Sequence, residues 1–584
     1  MAEMPEPQVS SVPSLYELSL SAVVDKVAII KNVSRLPQQI FFDVCYGLYK
    51  RKRLCLLQTQ FRNLETFAKL LKVTNRRVHL LQMFQALIQH GTQIKADIII
   101  HYSICNLGIN ISQTDEDRLI ELGLSLGEFL SDAGWYNESE HMLLTCYGLC
   151  FESSAPKDLC RTLRCCHKLL HVQTTYYLLV RAEASYEMIL EILEQLEKDG
   201  HDHNMHAALY TEISLYFSVI CEYDKAYRWS VKALKHLKPM LPASVVIDVL
   251  RQAEKACVNK CEFEKGGMLI KQAVCLAREV YGTEHPKYGD VLADYGFYLL
   301  NTDNISNSVT VYEAVLKIRS AIFGKTSLLV ALVHLDLAYA LYVHRYTSRD
   351  FRDAWDHVAI ASGIMDELLP EDHVMQSIPS RVKALILEER ALLNLGADKC
   401  LLSVSLGFQV LAFKLIHSEF GVRNVQTAKH YGNLGRLYQS MGDYEESEAM
   451  HLKAIRIKED LLGPDHSEVG LSIGHLASLY TFQMERYSDA EKLYHRSMAI
   501  SLKVYGETFS GLEYDYRGLL HTYAKLKQYD KCSEYTEILN RWEELRKRQV
   551  ETQEPPFDIQ QSPQPLDDLI KEFFGESNVC DSEC

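Results

Sequence analysis

A pattern that returns every 42 to 43 residues constrains the fold of this chain more than any other feature. Tyr438, Tyr480 and Tyr523 follow one another at intervals of 42 and 43 residues. Gly463 and Gly506 lie 43 residues apart in the same stretch. Self-similarity with a period of about 40 residues is typical of helical solenoids, in which each unit buries its apolar side against the next. The sequence therefore predicts an all-α solenoid.

Each repeat unit has the pattern of two helices joined by a short turn. The first helix of one unit carries Gly435 and Tyr438, and the second carries Ser447, His451 and Ala454. Small residues on facing helices permit a close approach, and large residues fill the space beside them. This spacing resembles the tetratricopeptide repeat. The long period and the turn "LLGPDH" resemble the repeats of kinesin light chains.

The repeats occupy most of the chain. Earlier copies of the pattern are recognisable in residues 124–146, 209–234, 248–277 and 281–324, and no alternating strand pattern accompanies them. We therefore expect five segments: residues 1–13 disordered, 14–57 a helical docking segment, 58–118 a helical linker or cap, 119–545 the tetratricopeptide-repeat solenoid, and 546–584 a disordered acidic tail.

The C-terminal segment differs in composition from the repeats. Residues 551–584 are rich in Pro, Gln and acidic residues, with nine Asp or Glu and one Lys. Such a composition favours disorder. The alternative is a short helix with one apolar stripe that serves as a docking motif. That stripe would consist of Leu566, Leu569, Ile570 and Phe573.

Charge and cysteine content exclude several classes of protein. The 584-residue chain has a net charge of −15 at pH 7, which argues against nucleic acid as a partner because phosphates need clustered Lys and Arg. Its 16 cysteines are scattered without a CxxC pair, which predicts reduced thiols in the cytoplasm or nucleus. We expect no secretory signal, and no apolar run that reaches the roughly 20 residues of a membrane span.

Catalytic and metal-binding motifs are weak. The stretch "CCHKLLH" brings Cys165, Cys166, His167 and His171 together on one helix. It lacks the Glu and the second ligand pair of a zinc site of this kind, so buried packing explains it better. The chain has no nucleophile elbow and no phosphate-binding loop after a strand. We therefore predict no enzyme, no catalytic residue, no metal site and no cofactor.

The concave side of the solenoid is the predicted binding surface, because the first helix of each unit lines it and extended peptides bind there. The repeat spacing predicts basic and amide side chains that would bind a peptide carboxylate or acidic side chains. Two acidic residues would bind a basic residue of the same peptide. Contacts between repeats are the alternative role for each position. The predicted groove residues are Lys429, Asn433, Arg436, His475, Arg517 and His521, with Asp290 and Asp294 as the acidic pair.

The first predicted helix does not match the repeats. Ser14, Leu15, Leu18, Ser19 and Val23 stand in the order S-L-x-x-L-small-x-x-x-aliphatic. This order resembles the BC-box, the helix by which substrate receptors bind elongin C, although Ser19 stands where the BC-box usually has Cys. An amphipathic helix that caps a solenoid would have the same pattern, so both interpretations stay open.

A second helix follows after a short gap. Leu36 and Pro37 precede Ile40, Val44 and Leu48, which have helical spacing, and Pro37 suits the first turn of a helix. The stretch resembles the cullin-2 box that accompanies a BC-box. This resemblance implies that residues 14–49 bind elongin B, elongin C, and cullin-2 with its RING subunit.

The whole chain also resembles one family. Five stretches carry the likeness: "FLSDAGWY" (129–136), "KYGDVLADYGFYLLN" (287–301), "RVKALILEE" (381–389), "NVQTAKHYGNLGRLYQSM" (424–441) and "SGLEYDYRGL" (510–519). They are similar to the amyloid protein-binding protein 2 family, of which this chain looks like a divergent member.

The resemblance implies two functions. One is the substrate-recognition subunit of a cullin-2 RING ubiquitin ligase, which binds C-terminal degron peptides that end in glycine. The other is a cytoplasmic transport adaptor that links the tail of amyloid precursor protein to microtubules and kinesin machinery. The implied location is cytoplasmic and microtubule-associated, with nuclear and peripheral membrane pools.

Overall fold

The computed structural model describes residues 14–30, 33–106, 113–150, 156–198, 205–393, 398–557, 559 and 562–575. Every regular element in these ranges is a helix: 27 α-helices and three short 3₁₀ turns, with no strand among them. This confirms the predicted all-α fold. The chain forms two compact units, of which the first runs to Val172 and includes Ile322–Gly324.

The first unit is built from short helices and one repeat-like helix pair. Its helices are α1 Leu15–Lys26, α2 Gln38–Lys50, α3 Leu54–Arg62, α4 Leu64–Leu71, α5 Arg77–Gln89, α6 Ile94–Asn106, α7 Gln113–Asp132, α8 Tyr136–Cys150 and α9 Pro156–Thr175, the last of which continues into the second unit. Two 3₁₀ turns, Val33–Arg35 and Thr74–Arg76, precede α2 and α5.

Four phenylalanines form the centre of the first unit. Phe61, Phe67, Phe84 and Phe129 come from α3, α4, α5 and α7, and all are fully buried. Their ring centroids lie 5.0 to 6.2 Å apart, within the range of favourable aromatic pairs. The short N-terminal helices therefore share a core with the first repeat-like pair.

The second unit contains the remaining helices. They are α10 Leu179–Lys198, α11 His206–Val219, α12 Tyr223–Lys235, α13 Ala243–Asn259, α14 Phe263–Tyr281, α15 Pro286–Asn301, α16 Ile305–Phe323, α17 Leu328–His344, α18 Arg352–Leu368, α19 Ser377–Leu392, α20 Lys399–Phe420, α21 Val425–Met441, α22 Tyr444–Leu462, α23 Ser467–Phe482, α24 Tyr487–Tyr505, α25 Leu512–Lys525, α26 Tyr529–Glu551 and α27 Leu566–Phe574. A 3₁₀ turn, Val374–Gln376, precedes α19.

The first helices of successive repeats lie side by side in the second unit. Each of α11, α13, α17, α19, α21 and α23 contacts both its own partner helix and the first helix of the following repeat. Helices that approach each other in this way occupy the inner side of a curved array. The first helices therefore line the concave side, as the repeat pattern predicts.

The second unit curves so strongly that its early and late repeats touch. Asn424 donates its side-chain N–H to the carbonyl oxygen of Ile220 at 2.9 Å. The backbone N–H of Ser510 donates to the Asp303 carboxylate at 2.7 Å, and Arg546 forms an ion pair with the same carboxylate. Partners about 205 residues apart are separated by about five repeats, so five repeats complete one turn of the superhelix.

Helix α20 differs from a sequence expectation. Among the described residues, α20 has the length and the apolar composition of a membrane-spanning helix. From the sequence, we expected no such stretch. It packs against α19 and α21 as the second helix of its repeat. Long apolar helices of this kind also occur in repeat arrays, where both neighbours cover part of their surface.

The C-terminal segment differs from the predicted disorder over most of its described length. Helix α26 continues to Glu551, and α27 covers residues 566–574. Leu569 and Phe573 of α27 are buried in the apolar core formed by α12 to α16. The short apolar stripe explains this difference, because the free energy gained by burying it exceeds the free energy that ordering the acidic segment around it costs. Residues 576–584 lie outside the described residues.

Candidate functional site

Helix α1 begins with a capping box. Ser14 accepts a hydrogen bond at its hydroxyl from the backbone N–H of Glu17, and its own N–H donates to the Glu17 carboxylate at 2.7 Å. These bonds to Ser14 lower the pKa of Glu17. A capping box satisfies two N–H groups that a helix start would otherwise leave unpaired, so α1 has a defined beginning.

The apolar residues of α1 lie on two different sides of the helix. Val24 and Val27 are buried at 1% and 6% exposure, whereas Leu15 and Leu18 are 82% and 54% exposed. Val24 packs on Gly47 of α2, where an added Cβ would stand only 2.7 Å from a Val24 methyl carbon. A helix that only capped the solenoid would bury its leucines, and α1 leaves them in solvent.

Polar contacts hold α1 against α2 and its flanking loop. Asp25 pairs with Arg51 and with Arg53, the latter at 3.2 Å. The hydroxyl of Tyr16 donates to Asp43, which also pairs with Arg76. The outward direction of Leu15 and Leu18 therefore follows from contacts on the opposite side of α1.

The structure separates the predicted docking residues into exposed and buried sets. Among the BC-box residues, Ser14, Leu15, Leu18 and Ser19 are exposed, and Val23 is half-buried. Among the cullin-box residues, Pro37 is exposed, Leu36 and Ile40 are half-buried, and Val44 and Leu48 are in the core at 1% and 0% exposure. Val44 and Leu48 therefore stabilise the first unit and offer no surface to a partner.

A polar chamber surrounds Arg436 on the inner side of the second unit. Arg436 pairs with Glu388 and Glu389 at 3.2 Å, and both ion pairs use its Nη2 nitrogen. Ser440 donates to Glu388 at 3.0 Å. We call this site the Arg436 chamber; its electrostatic and hydrogen-bonding neighbours are Tyr342, Tyr346, Glu388, Glu389, Ser440, His451, His475 and Tyr514. Asn433 lies three residues before Arg436 on α21, and residues at this spacing share one side of a helix.

Several polar atoms of the Arg436 chamber have no hydrogen-bonding partner among the described residues. They are the side-chain nitrogen of Asn433, the hydroxyl of Tyr342 and both ring nitrogens of His451. Burial, with Arg436 as a second cause, lowers the pKa of His451 to about 3. Unsatisfied buried polar groups are costly and call for water or a ligand. The chamber is therefore suited to a polar ligand group.

The chamber is less positive than the sequence suggested. Glu388 and Glu389 are 5% and 6% exposed, and they compensate the charge of Arg436. Burial raises the pKa of Glu388 despite Arg436 beside it. Burial also lowers the pKa of His475, an effect that Arg436 and His451 reinforce. A neutral His475 adds hydrogen-bonding capacity without charge.

Lys429 belongs to a separate cluster at the start of α21 and α23. It pairs with Glu468 at 2.8 Å, and Lys458 pairs with the same carboxylate at 2.8 Å. Burial opposes ionisation of Glu468, but these two ammonium groups lower its pKa. Lys429 therefore serves as a contact between repeats, the alternative role considered for it.

Asp290 and Asp294 form part of another ion-pair network, on α13, α15 and α16. Asp294 is only 8% exposed and pairs with Arg251 at 2.6 Å and Lys255 at 2.7 Å. Asp290 pairs with Arg319 at 2.9 Å. These carboxylates are neutralised within the protein, which leaves less charge for a basic residue of a ligand than the sequence suggested.

Arg517 and His521 lie outside the Arg436 chamber. Arg517 is 57% exposed at its side chain and pairs with Glu513 and Glu543. The ring centroids of His521 and Phe482 lie 4.8 Å apart, and the two rings are tilted by 44°. The structure thus brings Arg436 and His475 together, with Asn433 one turn before Arg436 on α21. The Lys429 cluster borders them, since Lys458 and Glu468 also act on the pKa of His475. The other four predicted groove residues make contacts elsewhere: Arg517, His521, Asp290 and Asp294.

Two curated relatives decide the family. Amyloid protein-binding protein 2 from Mus musculus and from Rattus norvegicus are each 45% identical to this chain over 577 residues, which is 98% of this chain and 98% of theirs. The chain belongs to the amyloid protein-binding protein 2 family. The likeness seen in the sequence is thereby confirmed.

Other comparisons match shorter parts of this chain or match it at lower identity. The tetratricopeptide repeat model matches residues 426–503. The clustered mitochondria protein homolog of Homo sapiens is 33% identical over 96 residues, 16% of this chain and 7% of its own length. Kinesin light chain repeats from Podosopora anserina superpose with TM-score 0.22 at 14% identity, covering 45% of this chain and 98% of theirs. A Rap protein complexed with competence and sporulation factor superposes with TM-score 0.39 at 13% identity. That match covers 68% of this chain and 100% of the Rap chain.

Sequence reasoning missed most of the chamber in this family member. Glu388 and Glu389 lie in residues 381–420, where the repeat pattern is weak, and Tyr346 lies beyond the end of α17. One available signal was the pair of adjacent glutamates that follows the apolar run "ALIL" (384–387) in α19. Buried carboxylates need a cation nearby, and Arg436 supplies it.

Proposed function

We propose that this protein is a substrate-recognition subunit of a cullin-2 RING ubiquitin ligase. Residues 14–49 bind elongin B and elongin C and approach cullin-2 with its RING subunit, and the Arg436 chamber binds the glycine-ended C-terminus of a degron-bearing protein. The protein has no catalytic step of its own. It acts by proximity, since tethering raises the local concentration of substrate lysines near the conjugating enzyme.

The exposure of Leu15 and Leu18 is the observation that carries this proposal. The two leucines lie one turn apart on a capped helix and are 82% and 54% exposed. Their apolar side chains are removed from water only when a partner covers them. Ile29, at 80% exposure, lies just after the C-terminal end of α1. A groove that accepts an amphipathic helix is the usual partner of such a surface.

The Arg436 chamber supports the second half of the proposal. A terminal carboxylate needs several N–H donors in one place, and Asn433 has a side-chain nitrogen without a partner. The Nη1 and Nε groups of Arg436 are additional donors, since its ion pairs use Nη2. A terminal glycine has no side chain that would need space beside its carboxylate. Glu388 and Glu389 favour a basic residue before that glycine.

Co-elution with elongins tests the docking half. The full chain is mixed with an elongin B–elongin C complex and run on size-exclusion chromatography, as wild type and as Leu15→Ala/Leu18→Ala. We expect wild type to co-elute and the double variant to lose more than about 10-fold in affinity, because a few central side chains dominate an interface. Unchanged circular dichroism and melting temperature accompany the loss, since neither leucine is buried.

A matched variant controls for the general effect of removing exposed apolar side chains. Val180 and Met240 are 81% and 96% exposed elsewhere in the chain, so Val180→Ala/Met240→Ala should bind elongins like wild type. If wild type does not bind, or if both double variants bind equally well, the docking proposal is wrong.

Fluorescence polarisation with short peptides tests the chamber. The probe is a labelled peptide that ends in Arg-Gly with a free carboxylate, compared with the same peptide amidated at its C-terminus. We expect binding of the free acid alone and a loss of at least about 10-fold in Asn433→Ala, the effect of one hydrogen bond to a charged group. Asn433→Ala breaks no side-chain nitrogen bond of the free protein.

Arg517→Ala is the control for the peptide assay. Arg517 was predicted in the groove but lies in an exposed ion pair outside the chamber, so its removal should change peptide affinity less than about two-fold. Equal binding of the free and amidated peptides would contradict the proposed carboxylate site.

A transport adaptor is the second candidate, and the name of the mouse and rat relatives favours it. That name describes amyloid protein binding by the mouse and rat proteins. In this proposal the concave side binds the cytoplasmic tail of amyloid precursor protein and links it to microtubules and kinesin machinery in the cytoplasm. The elongin experiment separates the two: an adaptor keeps its partner when Leu15 and Leu18 are replaced, and it binds no elongin.

A further inference from the structure

Three buried cysteines of the first unit lie together. Cys146 and Cys150 are one turn apart on α8, and Cys165 is on α9. Their exposures are 0%, 2% and 0%, and the three sulfur atoms all lie within 4.8 Å of one another. The sequence favoured simple packing for Cys165, because its motif lacks a second ligand pair with metal spacing; the other two cysteines of the cluster come from another helix.

The hydroxyl of Tyr102 lies beside the sulfur of Cys146. Tyr102 of α6 approaches Gly123 of α7 so closely that an added Cβ would stand 2.1 Å from the Tyr102 hydroxyl and 3.0 Å from the Cβ of Cys146. That hydroxyl donates to the carbonyl oxygen of Leu119 at 3.0 Å. Glycine at position 123 therefore admits an oxygen ligand next to the three sulfurs.

Two arginines lie within electrostatic range of the cluster. The charge of Arg161 opposes the rise in the pKa of the Cys150 thiol. Cys150 in turn contributes to the raised pKa of Arg164. Arg161 is only 10% exposed and pairs with Asp117 and Asp158. Arg164 pairs with Glu121, so carboxylates already compensate both guanidinium charges. Buried thiolates need positive charge of their own, which a bound cation supplies.

We propose that Cys146, Cys150 and Cys165 bind one thiophilic divalent metal ion, with zinc as the resident ion. Zinc–sulfur bonds of about 2.3 Å place two sulfurs of one zinc about 3.8 Å apart. The sulfurs therefore need to move by less than about 1 Å from separations of at most 4.8 Å. The hydroxyl of Tyr102 or a water completes the four ligands.

Binding releases three protons and involves no change in oxidation state. Each thiol loses its S–H proton to solvent as its metal–sulfur bond forms. The resulting site, with one divalent ion and three thiolates, carries a net charge of −1. The ion would join the last turn of α8 to the middle of α9, so its role is to stabilise the helix packing of the first unit.

Metal analysis of the full chain tests the proposal. The protein is expressed with added zinc, desalted and analysed by mass spectrometry for metals, and its zinc absorption edge is recorded. We expect about one zinc per chain with three sulfur neighbours at about 2.3 Å. Replacement of zinc by cobalt should produce thiolate-to-cobalt charge-transfer absorption. Both spectra use the wild-type protein and so do not depend on whether a variant folds.

Cysteine variants supply the control. Cys166 is also 2% exposed and stands next to Cys165, but it is outside the cluster. Cys166→Ser should retain the zinc, and Cys146→Ser and Cys165→Ser should lose it. Less than about 0.1 zinc per wild-type chain after zinc loading, or a zinc spectrum without sulfur neighbours, would overturn the proposal and leave three packed thiols.

Discussion

Ser447 donates its hydroxyl hydrogen to the carbonyl oxygen of Gly435, twelve residues earlier in the same repeat, at 2.7 Å. Ser308 makes the same bond to Gly296 at 2.8 Å. The glycine allows the two helices of a repeat to approach, and the serine satisfies a carbonyl group that this approach would bury. In the later repeat, the ring of His451 occupies the space that a side chain at 435 would need.

Replacement of Gly435 by alanine should destabilise the second unit. An added Cβ would stand 2.8 Å from the ring of His451, which is fully buried, so one of the two helices must move. We expect a loss of about 1 to 3 kcal/mol in the free energy of unfolding, measured by urea denaturation.

Gly432→Ala is the matched control for this variant. Gly432 lies on the same helix, and no atom stands within 4 Å of its added Cβ. Alanine at an open helical position stabilises by up to about 1 kcal/mol. If Gly435→Ala is as stable as Gly432→Ala, the helix pair is not packed as tightly as described.

Stability should depend on pH through Asp515. This carboxyl is 3% exposed, and burial raises its pKa to about 7 although the hydroxyl of Ser497 lies 3.0 Å away. Between about pH 4 and 7, Asp515 holds a proton more often in the folded state than in the unfolded state. The contribution of Asp515 to stability is therefore highest below this range and falls as pH rises through it. The total loss is on the order of 4 kcal/mol.

Urea denaturation of wild type and Asp515→Asn from pH 4.5 to 8 measures this effect. The asparagine keeps the shape of the carboxyl without its charge, so the difference between the two proteins should grow with pH in favour of the variant. Asp530→Asn, at an exposed position, should follow wild type. A difference between wild type and Asp515→Asn that is constant with pH would contradict the prediction.

Replacement of Phe573 by alanine should release α27 without unfolding the repeats. Phe573 and Leu569 are its buried side chains, at 5% and 1% exposure, and Lys265 lies over the Phe573 ring at 5.3 Å. Loss of a buried phenylalanine costs about 3 to 5 kcal/mol, more than a nine-residue helix retains by itself.

Hydrogen exchange of residues 566–574 measures the release. We expect wild type to protect these amides and Phe573→Ala to exchange them at nearly the unfolded rate, with α13 and α14 still protected. Glu572→Ala changes an exposed neighbour and should leave exchange as in wild type. Rapid exchange of the segment in wild type would show that α27 is not docked in solution.

Removal of Arg436 should destabilise the protein because two buried carboxylates lose their cation. Glu388 and Glu389 are 5% and 6% exposed, and breaking a buried pair costs about 3 kcal/mol or more. We expect Arg436→Met to lower the free energy of unfolding by that amount. The exposed Arg517→Met should change it by less than about 0.5 kcal/mol.

A triple variant distinguishes charge from packing at Arg436. Replacing Glu388 and Glu389 by glutamine in the Arg436→Met background removes the uncompensated charges and should recover more than half of the loss. If glutamine recovers nothing, the loss arises from the packing of the arginine stem and the carboxylates are not the cause.

The repeat architecture was accessible from the residue pattern because it depends on local rules. Helix pairs, their turns and the positions of Gly435 and Ser447 recur at a fixed spacing, and each repeat contacts mainly its neighbours. The start of α1 at Ser14 was accessible for the same reason, since a capping box involves residues three positions apart. Membership of the family followed from motifs spread over the whole chain.

Contacts between distant residues were not accessible in this way. The Arg436 chamber takes Glu388 and Glu389 from a repeat whose pattern is weak, and Cys165 meets Cys146 across two helices. The outward direction of Leu15 and the burial of Val44 depend on which side of each helix finds a neighbour. Periodicity shows that a helix has an apolar side, but the free energy of burial depends on the whole arrangement of helices, so only the folded chain decides which apolar and charged side chains remain exposed to a partner.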